Sequence, residues 1–127
     1  MYMGDIRLTF KEMCAKFEVT PRTLRYYEYI ELLSPERQGR SRFYGARECA
    51  RMTLILRGRK FGFKLEELRQ WLLIYDQDGT EIQMKVFLGM AERKQKELKE
   101  QQVQLAETLE ELEKLREITS NILHKEK

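Results

Sequence analysis

The sequence predicts a mainly α-helical protein in which a small basic head precedes one long helix, and three observations predict it. From Thr80 onward there is no proline and a single glycine, Gly89, while Leu98, Leu105 and Leu112 recur every seven residues, the repeat of a coiled coil. Ahead of that stretch, the tight turn Glu18-Val19-Thr20 joins a run with Phe10, Met13, Cys14 and Phe17 at helical spacing to a second short helix that Thr20 and Pro21 open. Charge is also divided. Residues 1–64 hold 14 Lys and Arg against 7 Asp and Glu, and residues 65–127 hold 10 against 14. A basic head on a slightly acidic tail fits nucleic-acid binding by the head alone; the plainer reading is the solvated surface that any small head needs.

The 127 residues, 42% hydrophobic and 35% charged, allow one compact domain of ordinary size. No run of about 18 apolar residues offers a membrane span. Met1–Arg7 has no apolar secretory core, so the chain reads as a soluble cytoplasmic protein. Cys14 and Cys49 provide no disulfide framework, and each lies on an apolar helix face where a small core residue is the plainer reading than a reactive thiol. No nucleophile–base pair, phosphate-binding glycine loop or carboxylate pair argues for an enzyme, and no cofactor is expected.

Taken in order, Thr9-Phe10-Lys11-Glu12 is a capping-box pattern that opens a helix with Phe10, Met13, Cys14 and Phe17 on one face. Thr20 caps the next helix and Pro21 stands at its first position, where the missing N–H costs nothing. That helix carries Arg22, Arg25, Tyr26 and Tyr27 within two turns, and only Leu24 is clearly apolar. Cations and phenols on a short helix suit an anionic partner. Two short helices joined by a three-residue turn form a helix-turn-helix, whose second helix reads the DNA major groove. Thr20 and Thr23, at the start of that helix, are counted with its DNA-contacting set. Adjacent helical residues point about 100° apart, so one of Tyr26 and Tyr27 can pack inward instead.

Pro35 stops any further helix. Gly39 then sits in a polar turn between Arg37 and the extended Arg42-Phe43-Tyr44, which reads as a small hairpin, a wing, with Arg37, Arg40 and Arg42 along it. Arginine grips phosphate with two parallel N–H bonds, which suits a backbone clamp. A third helix is expected from about Ala46 to Lys60, with Cys49, Met52, Ile55 and Leu56 as its buried stripe. Gly62 takes a left-handed angle at the turn that follows. Leu65, Leu68, Trp71 and Leu72 mark a fourth helix.

These residues together resemble the MerR family of bacterial transcription regulators. The resemblance rests on Thr23-Leu24-Arg25-Tyr26-Tyr27-Glu28, Leu32-Leu33, Pro35, Arg37, Arg42, Tyr44, Gly62-Phe63 and Leu65-Glu66-Glu67, in order over about residues 6–75. Ala50 to Phe63, Tyr75-Asp76 and Asp78-Gly79 are similar to the LiuR type, a branch associated with breakdown of leucine, isovalerate and related acyl-CoA compounds. The resemblance implies a winged helix-turn-helix followed by a long helix that pairs two subunits. It implies DNA contacts from Arg22 and Arg25, with Tyr26 and Tyr27 near phosphates. Arg42 and Tyr44 would act from the wing, and Arg59 and Lys60 from a second wing. Two positions depart from the family pattern. Glu31 stands where glycine is usual, costing on the order of 1 kcal/mol if φ is positive there. Lys64 stands where serine or threonine is usual and cannot accept a capping bond, a loss of roughly 1 kcal/mol.

The expected organisation is a winged helix-turn-helix DNA-binding domain over 1–75, a linker over 76–79, and a long dimerisation helix with a short C-terminal tail over 80–127. A helix from 80 to about 123 is roughly 66 Å long at 1.5 Å per residue. Its stripe of Leu98, Leu105, Leu109, Leu112, Leu115, Ile118 and Ile122 needs a partner, and with no second helix to fold back on, that partner is another copy. The resemblance makes the coiled coil antiparallel; the residues alone leave its orientation open. A two-fold dimer calls for an inverted-repeat promoter operator. The resemblance adds bending and untwisting of that DNA to realign the promoter for RNA polymerase holoenzyme. No cysteine follows Cys49 and His124 is alone near the end, so no metal site is expected. A small-molecule effector, unidentified, would bind near Trp71, Leu72, Tyr75, Met84, Phe87 and Leu88. Their plainer reading is packing of head on tail. The competing functions are an effector-independent architectural DNA-binding protein and a coiled-coil adaptor whose basic head meets an acidic protein.

Overall fold

Residues 6–125 are described by a computed structural model of the chain; Met1–Asp5 and the last two residues of the expected C-terminal tail lie outside them. Strand β1 (Arg7–Thr9) leads directly into helix α1 (Phe10–Phe17) because Thr9 serves both. Its hydroxyl accepts the Glu12 N–H at 3.2 Å while the Glu12 carboxylate accepts the Thr9 N–H at 2.9 Å, so two otherwise orphaned donors are satisfied. Glu18 enters the left-handed region (φ 53°) and ends α1, and the Val19 N–H returns to the Cys14 carbonyl at 3.1 Å. The chain turns at once into α2 (Pro21–Tyr29), where the Thr20 hydroxyl accepts the Thr23 N–H at 3.1 Å.

The sheet is larger than a two-stranded wing. Strands β2 (Glu36–Gln38) and β3 (Ser41–Gly45) form the expected hairpin around Gly39 (φ 61°), and β1 pairs with the free side of β3. The order is β1-β3-β2, antiparallel throughout, with Leu8 opposite Tyr44 and Arg37 opposite Arg42. Three residues of β1 are too few to show an alternating pattern; it exists because β3 offers an edge.

Helices α3 (Ala46–Phe61) and α4 (Leu65–Asp78) complete the head. Gly62 between them has φ 94°, the conformation expected of it. A Cβ on Gly58 would stand 2.4 Å from Leu68 Cδ2, so glycine is what lets α4 approach α3 this closely. Lys64 lacks an acceptor, and the α4 terminus keeps half a cap, the Glu67 carboxylate accepting the Lys64 N–H at 3.1 Å. Met13, Leu24, Leu32, Leu33, Tyr44, Met52 and Ile55 are fully enclosed, and each aliphatic one contributes about 1.5–3 kcal/mol by leaving water. The buried Glu48 carboxylate accepts the Ser34 N–H at 2.9 Å, tying the segment after α2 to α3.

Glu31 does adopt a positive φ, 64°. Arg69 of α4 holds that turn, its Nε donating to the Ile30 carbonyl at 3.0 Å and Nη2 to the Glu31 carboxylate at 3.2 Å. The side chain that replaces glycine thus gains a partner that offsets part of its backbone strain.

The expected linker over 76–79 is corrected by the structure. α4 stays helical through Asp78, and the single residue Gly79 (φ 87°) separates it from α5 (Thr80–Lys125). The reason is long-range: Asp76 is drawn into ion pairs with Arg47 and Arg51 of α3, which keeps a polar stretch helical. The chain divides into two compact units between Phe87 and Leu88, so the first turns of α5 belong with the head. There the Trp71 indole donates to the Gln83 carbonyl at 3.0 Å, the Gln83 amide donates to the Trp71 carbonyl at 3.3 Å, and the Trp71 and Phe87 rings lie 5.7 Å apart.

From Leu88 onward α5 is laced with pairs along its own surface, such as Lys94–Glu97 at 3.0 Å and Arg116–Glu113 at 2.6 Å. Leu98, Leu105, Leu109, Leu112, Leu115, Ile118 and Ile122 are all exposed, and Val103, which the leucine pattern does not include, is exposed with them.

Candidate nucleic-acid interface

The side chains assigned to the recognition helix divide by helical angle. Arg22, Arg25 and Tyr26 are exposed, whereas Leu24 is fully enclosed and Tyr27 is 6% exposed. Tyr27 is therefore corrected from a phosphate contact to a core residue, with burial pushing its phenol above the usual tyrosine range. Thr20 and Thr23 hold the helix start, the Thr20 hydroxyl donating to Thr23 Oγ1 at 2.9 Å.

Tyr44 is the second correction. On β3, the middle strand of the sheet, its side chain turns into the core, fully enclosed, and its hydroxyl donates a short hydrogen bond to the Glu28 carboxylate. Burial, and then that bond, push its phenol far above the ordinary tyrosine value. It cannot act from the wing surface. It supports the wing instead, because the same carboxylate lies 3.3 Å from Arg42 Nε and 3.8 Å from Arg37 Nη2. Glu28 thus joins the end of α2 to β2 and β3. The sequence motif contains Glu28, yet gives it no role; the available signal was a lone carboxylate near the end of a cationic helix.

Between α1, α2 and the wing lies an open groove of about 450 Å³ lined by Thr9, Phe10, Lys11, Arg25, Arg40, Ser41, Arg42 and Phe43. Four of these side chains are cationic and none is acidic. Phe10 organises two of them, with the guanidinium carbons of Arg25 and Arg42 at 5.5 Å and 5.3 Å from its ring centre. Arg7 stacks on Phe43 at 3.9 Å from the sheet side. Phe10 and Lys11 line the groove although sequence reasoning gave them no place there, because their nearness to Arg25 and Arg42 arises from β1 joining the sheet. Arg37 is exposed on β2. Arg59 and Lys60 are exposed on the last turn of α3 and do not line the groove; Arg59 donates to the Phe63 carbonyl at 3.2 Å.

The expected effector cluster is partly rearranged. Trp71 and Phe87 pack on each other, as the plainer reading has it, and Met84 and Leu88 are exposed. Tyr75 lines a separate cavity of about 410 Å³ with Arg47, Ala50, Arg51, Leu54, Leu72 and Gln83. Among the described residues no three His, Cys, Asp or Glu side chains converge as a metal site, and no helix is long and apolar enough to cross a membrane.

Comparison with known proteins places this geometry. Residues 8–73 match the model of the MerR HTH family regulatory proteins, and residues 49–115 match the model described as MerR, DNA binding. The chain is 43% identical to the HTH-type transcriptional regulator HmrR of Rhizobium leguminosarum over 56 residues, 43% of each chain. It is 37% identical to the HTH-type transcriptional regulator ZntR of Escherichia coli over 65 residues, 50% of this chain and 46% of that one. The matched stretch thus spans less than half the length of either regulator. An HTH-type transcriptional regulator of Pseudomonas aeruginosa is 31% identical over 104 residues, 80% of this chain and 79% of its own. Among solved structures, a MerR family transcriptional regulator from Bacillus cereus superimposes with a TM-score of 0.71 at 26% identity, over 86% of this chain and 79% of that one. HiNmlR, a MerR family regulator lacking the sensor domain and bound to promoter DNA, shares the fold with a TM-score of 0.59 at 21% identity, over 83% and 80% of the two chains. With both family models matched and a relative aligned along about four-fifths of each chain, the protein belongs to the MerR family of DNA-binding helix-turn-helix transcription regulators.

Proposed function

We propose that the protein is a cytoplasmic homodimer that binds an inverted-repeat promoter operator and bends and untwists it in response to a small metabolite. On this reading it acts with RNA polymerase holoenzyme on the same promoter and belongs with the LiuR type, its signal being an acyl-CoA-type compound. The observation that carries the DNA-binding part is the groove in which Lys11, Arg25, Arg40 and Arg42 converge without an acidic neighbour on its walls. A cationic groove beside an exposed helix face suits phosphate gripping around base reading. The exposed leucine row of α5 supports the dimer, since rows of large apolar side chains mark protein contacts. An antiparallel coiled coil of two copies covers such a row and presents two heads to one operator.

The test is selection of bound sequences from random DNA, repeated with acyl-CoA compounds and read for both affinity and DNA shape. The expected result is a two-fold symmetric site whose bending changes with a metabolite. A symmetric site bent equally under all conditions would leave an architectural DNA-binding protein, and no enriched site would leave the adaptor. Removing residues 98–127 should give monomers with much weaker operator binding; a truncated chain that stays dimeric would sink the coiled-coil reading.

A further inference from the structure

The cavity between α3, α4 and the start of α5 has a chemistry of its own. Its walls come from Leu54 and Ala50 of α3 and from Leu72 and Tyr75 of α4. Gln83 closes one side, held in place by its two hydrogen bonds with Trp71. At about 410 Å³ the cavity lies within the range of small-molecule sites. Two guanidiniums, Arg47 and Arg51, line it and share one carboxylate, Asp76, at 2.9 and 3.0 Å. Two positive charges against one negative leave a positive charge unmatched beside apolar walls. Arg51 is further fixed by donating to the Leu32 carbonyl at 3.3 Å.

We propose that this cavity binds a small amphiphilic carboxylate, its head on Arg47 and Arg51 and its apolar body against Leu54, Leu72 and Tyr75. A carboxylate matches a guanidinium through paired N–H bonds and supplies the missing negative charge. An acyl thioester presents no charge at its acyl end and so offers the arginines no paired anionic acceptor there. The inference rests on the effector-responsive regulator proposed above and replaces the acyl-CoA thioester as its signal with the free acid. It also assigns the coupling. An incoming carboxylate competes with Asp76 for the same donors and loosens the tie between α3 and the last turn of α4, next to the one-residue break at Gly79.

Calorimetric titration of the full chain with hexanoate, hexanol and hexanoyl-CoA tests this. Hexanoate should bind, with hexanol weaker by at least about tenfold, because only the acid meets the arginines with a charge. Arg47→Gln should weaken hexanoate by roughly tenfold; Arg47 is exposed, and a thermal melt checks the fold. Asp76→Asn should tighten hexanoate severalfold, because it removes the competing carboxylate, an outcome that a merely structural Asp76 would not give. Equal binding of hexanol and hexanoate, hexanoyl-CoA binding where hexanoate does not, or wild-type affinity in both variants would overturn the proposal. A chain that selects an operator and reshapes it with acyl-CoA while ignoring hexanoate overturns this assignment and leaves the regulator standing. Hexanoate binding with the expected variant effects but no selected operator supports the cavity and removes the regulator.

Discussion

Two carboxylates in the head are each shared by a pair of arginines, and they are used differently. Glu28 serves Arg37 and Arg42, and its side chain is 8% exposed; Asp76 serves Arg47 and Arg51, and its side chain is 38% exposed. Glu28 also accepts from the enclosed Tyr44 hydroxyl, whereas among the described residues Asp76 pairs with its two arginines alone. A buried, triply engaged carboxylate fixes geometry, because removing it leaves a phenol without a partner and a cation without its anion. A carboxylate half in water holds its partners weakly enough to be exchanged for another anion. The same motif therefore makes a rigid joint under the cationic groove and a releasable one beside the cavity.

The contrast can be broken first at the level of stability. Glu28→Ala should cost about 2–4 kcal/mol, and Asp76→Ala less than about 1 kcal/mol. Denaturant unfolding of both variants checks it, and similar losses would end the distinction. Next, Arg25→Ala should weaken operator binding by roughly tenfold to a hundredfold with the dimer intact. Arg47→Ala should leave operator affinity within about twofold, as a pair away from the groove has no phosphate to lose. Equal effects in a binding titration would show that the recognition face has been misplaced.

The smallest effect is at high pH. The folded phenols of Tyr44 and Tyr27 titrate above their unfolded value of about 10. Stability is therefore fully present below about pH 10, and it falls as pH rises further because the unfolded chain releases those protons first. The loss is on the order of 1 kcal/mol per pH unit for the Tyr44 phenol. In Tyr44→Phe this alkaline slope should shrink, and an unchanged slope would remove Tyr44 as its source.

Local chemistry was legible in the sequence, and encounters between distant segments were not. The caps at Thr9 and Thr20, the tight turn between α1 and α2, and the left-handed Gly62 all depend on neighbours within a few residues, and the structure has them. Glu31, questioned as a non-glycine at a turn, does carry the positive φ. The residues alone leave open which of Tyr26 and Tyr27 packs inward, and the resemblance puts Tyr44 on the wing, because a phenol's direction is decided by what packs over it. β1 was missed because three residues carry no period, and its pairing with β3 is what brings Lys11 and Phe10 into the groove. Asp76 read as linker because its partners lie 25 and 29 residues away.

The groove's charge has a consequence in ionic strength. Lys11, Arg25 and Arg40 have no carboxylate partner among the described residues, so each is available to displace a condensed counterion from DNA. With one phosphate neutralised by each, the logarithm of the binding constant falls by about 0.9 per cation for each tenfold rise in salt. A rise from about 50 to 200 mM salt then weakens each head by roughly fortyfold. On that footing, ionic strength by itself changes how tightly the head holds DNA, independently of any metabolite.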